Sequence, residues 1–424
     1  MAHIIRRHAA AYERARPQLT ESQRKVLTEV ALCRTPLLGL HGVICSHCGE
    51  IHDHSYNSCG NRHCPSCKGP ARAAWRAARA REALPVPYFH STFTLPHELV
   101  PLSLVNFQVI YDLLFAASSQ TIHEIAANPK HLGGRVGMIG AVHTWGSALV
   151  AHPHVHYVIP GIALSDDGRL VRPKKDFFLP DRVLSSKFRG KFMALLDKAR
   201  QNGELNFVGR AAALATESAW KTLKDKLYQK NWVVHTQPPA KRAGGVEQLL
   251  GYLARYVDRV AITDDRLVSF ADGQVTFRYK RHDGERVHWK TTSLDTTVFL
   301  DRVLMHVVPK GFHRFRQFGL LANCHRQKNL ARLRELLGEP TRPVRDGTRL
   351  WMFLAMVSLM IPTRCPGCGK GDLISFRDTR PAWRDLRRLT MDDLSRAEQL
   401  DRLPPPVSYP DTNRSLPNGW WDTS

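Results

Sequence analysis

The sequence predicts an α+β fold: an antiparallel sheet with packed helices, preceded by a small metal-held domain and followed by a basic helical C-terminal region. Three observations carry this. Six of the nine cysteines fall in Cys-x-x-Cys pairs, Cys45/Cys48, Cys64/Cys67 and Cys365/Cys368. From Tyr88 onward, apolar runs of strand length alternate with runs of helical periodicity. Three short alternating segments at 267–270, 275–279 and 287–291 then follow one another as a β-meander would.

Taken in order, residues 1–33 read as helix, with a capping-box pair at Thr20 and Gln23 before Val26, Leu27 and Val30. Residues 39–70 turn rich in Gly, Cys and His, which suits a loop-rich unit held by metal. A basic, Ala-rich helix over 72–81 ends before Pro85 and Pro87. Strands are expected at 89–95, 137–145, 149–159 and 232–236, and a long helix at 102–127 stops at Asn128-Pro129. Polar helical patterns over 181–230 read as an insertion, and 246–260 as an amphipathic helix. The expected domains are 1–84, 85–310 with the insertion, and 311–424.

Charge narrows the partners. Lys and Arg number 61 against 38 Asp and Glu, a net charge of +23, which points to a polyanion and first to nucleic acid. A purely electrostatic binder is usually shorter and poorer in Trp than this chain of 424 residues with nine. The N-terminus lacks the apolar core of a secretory signal, and the longest apolar run, 350–361, is about half a membrane span. The expectation is a cytoplasmic, nucleoid-associated prokaryotic protein without membrane contact. Cys-x-x-Cys pairs there indicate metal ligands before disulfides.

Cys45/Cys48 and Cys64/Cys67 are separated by fifteen residues, the spacing of a double-knuckle zinc site. Four thiolates would close the coordination sphere, so the role is architectural. Cys59, His52, His54 and His63 lie in the same loop as replacement ligands. Cys365 and Cys368 look like one knuckle of a second zinc site, with Cys324 and His325 as conceivable partners.

In 151–159, His152, His154 and His156 alternate with Val155, Tyr157 and Ile159. An extended segment puts the imidazoles on one face and the apolar groups on the other. Such a ladder either chelates a divalent cation or forms a polar surface strand. Downstream, Tyr252 and Tyr256 stand at i and i+4 of one helical face, flanked by Arg255 and Arg259. They are either an aromatic stripe on a sheet or a pair of nucleophiles. A phenolate can attack a DNA phosphorus polarised by a cation at the histidines, leaving a phosphotyrosine and a free 3′-hydroxyl.

Residues 312–334 carry Arg314, Arg316, Arg326, Lys328, Arg332 and Arg334 without an acid, interleaved with Phe312, Phe315 and Phe318. Cations on phosphates beside rings stacked on bases suit single-stranded DNA; core phenylalanines beneath a solvated face are the other reading. Arg72, Arg76 and Arg79 form a second basic stripe, suited to duplex or hairpin ends.

In these pieces the chain resembles the HUH rolling-circle transposases of the insertion sequence 91 family. The matching elements occur in the family's order: the first Cys-x-x-Cys, the block from Asn57 through Cys59 and Cys64 to Cys67, His143-Thr-Trp-Gly146, His152-Pro-His154-Val-His156, Gly251-Tyr252-Leu-Ala-Arg-Tyr256 and a final Cys-Pro-x-Cys-Gly. The resemblance implies an N-terminal zinc-binding domain, a five-stranded HUH nuclease sheet, and cleavage and joining of single-stranded DNA at element ends. It implies that His154 and His156 hold a catalytic Mg²⁺ or Mn²⁺ and that Tyr252 and Tyr256 are the nucleophiles. A third ligand is expected from His143, His152 or Gln248. Where the family often has a further glycine after Pro160-Gly161, this chain has Ile162-Ala163. A plasmid replication initiator or relaxase, or an inactive zinc-dependent DNA-binding protein, are the alternative functions.

Overall fold

The computed structural model describes residues 1–67, 79, 81–174, 177–239, 251, 260–283, 286–339, 364–377, 381 and 383–394. Tyr252, Arg255, Tyr256 and Arg259 lie outside the described residues, as do Arg72, Arg76, Gln248 and the apolar run 350–361. The chain forms two compact units, one from Met1–Leu19, Leu27–Asn61 and Asp346–Ser424, the other from Thr20–Val26 and Arg62–Arg345.

In the first unit, helix α1 (Ala2–Ala15) buries Ile4, Ile5, Ala9 and Tyr12 along one side. The Arg6 guanidinium donates to the Ala31 carbonyl at 2.7 Å. Strands β1 (Leu40–Cys45) and β2 (Ile51–Tyr56) form an antiparallel pair. The other edge of β1 takes up Leu373–Arg377, also antiparallel, with Cys45 opposite Leu373. A three-stranded sheet therefore joins the two ends of the sequence.

Helix α2 (Glu21–Ala31) starts at the expected capping box. The Gln23 N–H donates to Thr20 Oγ1 at 3.2 Å, and the Thr20 N–H donates to Gln23 Oε1 at 3.0 Å.

The second unit is built on β3 (Tyr88–Thr94), β4 (Gly137–Trp145) and β5 (Ala151–Pro160). Between β3 and β4 run α3 (Val100–Val105) and α4 (Phe107–Ala127). A single helix was expected there, and Asn106 divides it. Its side chain donates to the Leu102 carbonyl and accepts from the Asn206 N–H at 2.6 Å, drawing the backbone out of helix. Beyond β5 come the short pair β6 (Ala163–Leu164) and β7 (Leu170–Val171), then α5 (Asp181–Gln201), α6 (Glu217–Gln229) and β8 (Val234–Gln237). The meander is β9 (Leu267–Ala271), β10 (Gln274–Asp283) and β11 (Arg286–Asp295), followed by α7 (Thr296–Leu304). Strand β12 (Phe315–Gly319) and helix α8 (Arg326–Leu336) complete the unit.

The main sheet has the order β12-β4-β5-β3-β8, with every neighbouring pair antiparallel. One face is apolar: Phe93, Val142, Val155, Tyr157 and Ile159 pack with Leu114 and Phe115 of α4 and Phe188 and Phe192 of α5. The helices expected as an insertion thus cover the sheet. Gly140 permits this close packing, because a Cβ there would lie 2.7 Å from the Tyr157 ring. At one end of the opposite face, Ile139, Ala141 and Val158 pack with Leu330 and Leu333 of α8. At its other end sit the histidines. No described helix is long and apolar enough to cross a membrane.

Candidate metal centres

The first set of ligands is made of thiols. Cys45, Cys48, Cys365 and Cys368 bring their sulfurs within 4.8 Å of one another. Each Cys-x-x-Cys is a tight knuckle closed by glycine. The Gly49 N–H donates to the Cys45 carbonyl at 3.1 Å and the Gly369 N–H to that of Cys365 at 2.9 Å. Both glycines have φ near +70°, a backbone that costs a residue with Cβ (Gly49 71°, Gly369 66°).

Cys45 and Cys368 are tuned toward the anion. N–H groups of Gly371 and Lys370 hold the Cys368 thiol down to about 6, and those of Cys48 and His47 lower that of Cys45. Cys48 goes the other way: although the Glu50 N–H favours its thiolate, desolvation and the neighbouring thiols push it up to about 12. Four thiolates this close repel one another, and a divalent cation removes that conflict. The donor set fits a closed, structural zinc site. His52 adds an imidazole nitrogen 2.9 Å from Cys365 Sγ.

This corrects the expectation that Cys45 and Cys48 share one ion with Cys64 and Cys67. Strand pairing delivers Cys368 to Cys45 from 323 residues away, and a spacing rule sees only neighbours in sequence. Cys324 is exposed and stands in no ligand group among the described residues, so it is not the partner of Cys365 and Cys368. In the first unit Cys33 and Cys59 are both buried, with sulfurs within 4.8 Å. In the second, Cys64 and Cys67 are likewise buried and equally close. Sequence reasoning missed Cys33, a single cysteine outside any Cys-x-x-Cys pair.

The second set is made of imidazoles. The ring nitrogens of His143, His154 and His156 lie within 4.8 Å of one another, all on buried side chains. Antiparallel register puts His143 directly opposite His154, and alternation along β5 returns His156 to the same face. His154 Nδ1–H donates to the His152 carbonyl at 2.6 Å, leaving Nε2 as its ligand atom. His156 Nδ1 lies 3.0 Å from both Thr92 Oγ1 and His90 Nε2, so Nε2 is the nitrogen it would turn to a metal ion. Trp145 stacks on His143 with centroids 5.0 Å apart, and the Arg314 guanidinium covers Trp145 at 5.0 Å. Of the contenders for third position, His143 closes the group; His152, exposed at the start of β5, stands outside it.

The turn joining β4 to β5 is clamped from three sides. Arg266 donates to the Ser147 carbonyl, and Arg302 to that of Ala148 at 3.3 Å. Buried His306 lies 3.3 Å from the Leu149 carbonyl through Nε2 and 3.0 Å from Thr144 Oγ1 through Nδ1. The neutral tautomer satisfies both, with Nε2–H donating to the carbonyl and Nδ1 accepting from the hydroxyl. Burial pushes its pKa down to about 4 from an ordinary 6.5. The unfolded chain therefore binds more protons between those values, and stability falls as pH drops through that window. Roughly 3 kcal/mol should be lost from this group. Urea unfolding at pH 7 and pH 4.5 tests it: a His306→Gln protein should lose less stability than the parent, and equal losses would remove His306 from the account.

The basic residues expected on DNA are mostly engaged within the protein. Arg314 is buried. Arg316 pairs with Asp112 and covers the Phe115 ring at 4.5 Å. Arg79 pairs with Glu82 at 2.8 Å, and Arg326 reaches the same carboxylate at 3.2 Å. Lys328 is exposed. Phe312 is buried in the core, Phe318 packs against it, and Phe315 belongs to the cluster on the other face. The phenylalanines are therefore core residues and not base platforms, because β12 joins the sheet and its side chains alternate between the two packed faces.

Cysteine knuckles in one unit and a histidine-bearing antiparallel sheet in the other make this a metal-binding α+β protein, and comparison with known proteins places it among the transposases. Residues 137–329 match the family described as "Putative transposase", and residues 4–95 the one described as "Transposase zinc-binding domain". The chain is 41% identical over 385 residues to "Putative transposase y4qJ" of Sinorhizobium fredii, covering 89% of this chain and 94% of that one. It is 28% identical over 359 residues to "Transposase for insertion sequence element IS801" of Pseudomonas savastanoi pv. phaseolicola, covering 83% of each. No solved structure matches. The chain belongs to the insertion sequence 91 family of transposases, DNA-cleaving and strand-transferring enzymes. The zinc-binding domain match and the cysteine clusters together assign structural zinc.

Proposed function

We propose that this transposase cuts and rejoins single-stranded DNA at element ends by the HUH, rolling-circle route, through a 5′-phosphotyrosine intermediate. The observation that carries the reading is the buried group His143, His154 and His156 on adjacent strands of a five-stranded antiparallel sheet. His143, His154 and His156 would hold the Mg²⁺ or Mn²⁺ of this reading, an all-nitrogen donor set that favours the softer Mn²⁺ over Mg²⁺, and such an ion would polarise the scissile phosphate.

Tyr252 and Tyr256 are the nucleophiles in this reading. One phenol gives up its proton, its oxygen bonds to phosphorus, and the P–O3′ bond breaks. The 3′-oxygen leaves as a hydroxyl after taking up a proton. The ester energy stays in the phosphotyrosine, so an incoming 3′-hydroxyl can reverse the step and join a new strand. A second tyrosine allows two successive attacks without hydrolysis.

Tyr157, the phenol nearest the histidines in sequence, is unsuited to that task. It occupies the opposite face of β5, hydrogen-bonds Ser118 at 2.8 Å, and burial raises its pKa. Tyr88 is similarly buried, its phenol pushed up to about 12. A plasmid initiator or relaxase would share the chemistry, but both relatives named above carry transposase names.

Incubation with single-stranded oligonucleotides and Mn²⁺ followed by denaturing gels tests the nucleophiles. Tyr252→Phe and Tyr256→Phe should each remove part of the covalent protein–DNA product, and the double variant all of it. A double variant that cuts at the parental rate would refute the assignment.

A further inference from the structure

The meander carries a surface that the cutting reaction does not use. Strands β10 and β11, ten residues each, form a ribbon of about 34 Å. Its base is anchored: Val275 and Phe277 are buried, and Phe277 meets Phe299 of α7 with centroids 5.8 Å apart. Its outer half differs, since every residue of β11 from Arg286 to Lys290 is exposed, irrespective of which face it occupies.

Exposed Arg286, Trp289 and Lys290 of β11, with half-buried Tyr279 and Lys280 of β10 beside them, make this half basic and aromatic. Lys280 pairs with Trp289 across the strands, and Tyr279 with Lys290 on the reverse side. Trp289 is 54% exposed, with Lys280 Nζ 5.1 Å and the Arg278 guanidinium 5.7 Å from its ring centroid. Along 274–294 the sequence has five cations and two acids, Asp283 and Glu285. The ribbon is also tied to the histidine strands. The Lys280 N–H donates to Ser147 Oγ at 2.7 Å, and Arg266 bridges the Arg278 and Ser147 carbonyls. Ser147 belongs to the turn between β4 and β5.

We propose that the outer half of this ribbon inserts into the major groove of duplex DNA beside the strand being cut. A groove about 12 Å wide accepts a two-stranded ribbon, and exposure on both faces is what insertion requires. A single strand would need one open aromatic platform, whereas Trp289 already carries two cations. Anchorage at Ser147 holds the bound duplex at a fixed reach from His143 and His154. The proposal rests on the transposase reading only for the identity of the polyanion; tyrosine chemistry does not enter it.

The test is fluorescence anisotropy on the full chain, without divalent cation, at several salt concentrations. The probes are a labelled mixed-sequence duplex of about three helical turns and a single strand of equal length. For Arg286→Ala/Lys290→Ala, duplex affinity should fall about tenfold and the salt slope should become shallower by about 2, with single-strand affinity unchanged. Trp289→Ala should weaken duplex binding in the same direction; melting curves confirm that each variant folds. Unchanged duplex affinity and slope would overturn the proposal, and so would equal losses on both probes, which would place a single strand on the ribbon. Failure to form a phosphotyrosine adduct would leave this result intact, so the two readings fail separately.

Discussion

Replacing His156 with alanine should abolish cleavage of single-stranded DNA, lowering the rate about a thousandfold. The size follows from its position. His156 supplies one of the three nitrogens that form the buried group among the described residues, and Thr92 and His90 hold its ring in place. In the proposed mechanism, losing a ligand would remove the ion, and with it several kcal/mol of stabilisation of charge on the scissile phosphate; about 4 kcal/mol corresponds to a thousandfold in rate. His143→Ala should fall with it. His152→Ala should keep most of its activity, because its hydrogen bond to His154 comes from the backbone carbonyl and its exposed ring, 4.9 Å from that of His154, stands outside the ligand group. Rates are measured on a labelled oligonucleotide with Mn²⁺, beside melting curves showing that each variant folds. Cleavage by His156→Ala at the parental rate would remove the histidines from catalysis.

Substituting Cys368 with serine should unfold the first unit. Structural zinc in small domains contributes roughly 10–16 kcal/mol, at least as much as a domain's net stability of about 5–15 kcal/mol. This site also fastens the Leu373–Arg377 strand to β1, closing the sheet between the chain's two ends. One zinc equivalent should disappear from the purified protein by elemental analysis, and one transition from its thermal melt. Cys45→Ser should release the same ion, so the double variant loses one equivalent and not two. Two lost equivalents, or an unaltered melt, would restore the grouping of Cys45 with Cys64.

Much of the fold was legible wherever the signal is local. The capping box at Thr20 and Gln23 involves residues three apart, and it forms as read. The strands β3, β4 and β5 are apolar runs of strand length, and the meander declares itself by alternation between turns. The break at Asn106 was not legible, since its competing partner, Asn206, lies a hundred residues away. Nor were the roles of Arg316 and Arg326, whose carboxylate partners Asp112 and Glu82 come from distant segments. An isolated basic run shows no such acids and so looks like an open phosphate track.

The sites divide along the same line. By itself the sequence determined the half-sites: a Cys-x-x-Cys knuckle turns two thiols one way, and alternation puts His154 and His156 on one face of a strand. Those are consequences of bond geometry over a few residues. Tertiary structure decided how each half is completed, bringing His143 opposite His154 and Cys365 and Cys368 beside Cys45 and Cys48. Register between distant strands is selected by the packing of whole faces, here Val142, Val155 and Tyr157 against α4 and α5, and no short stretch of sequence contains that information.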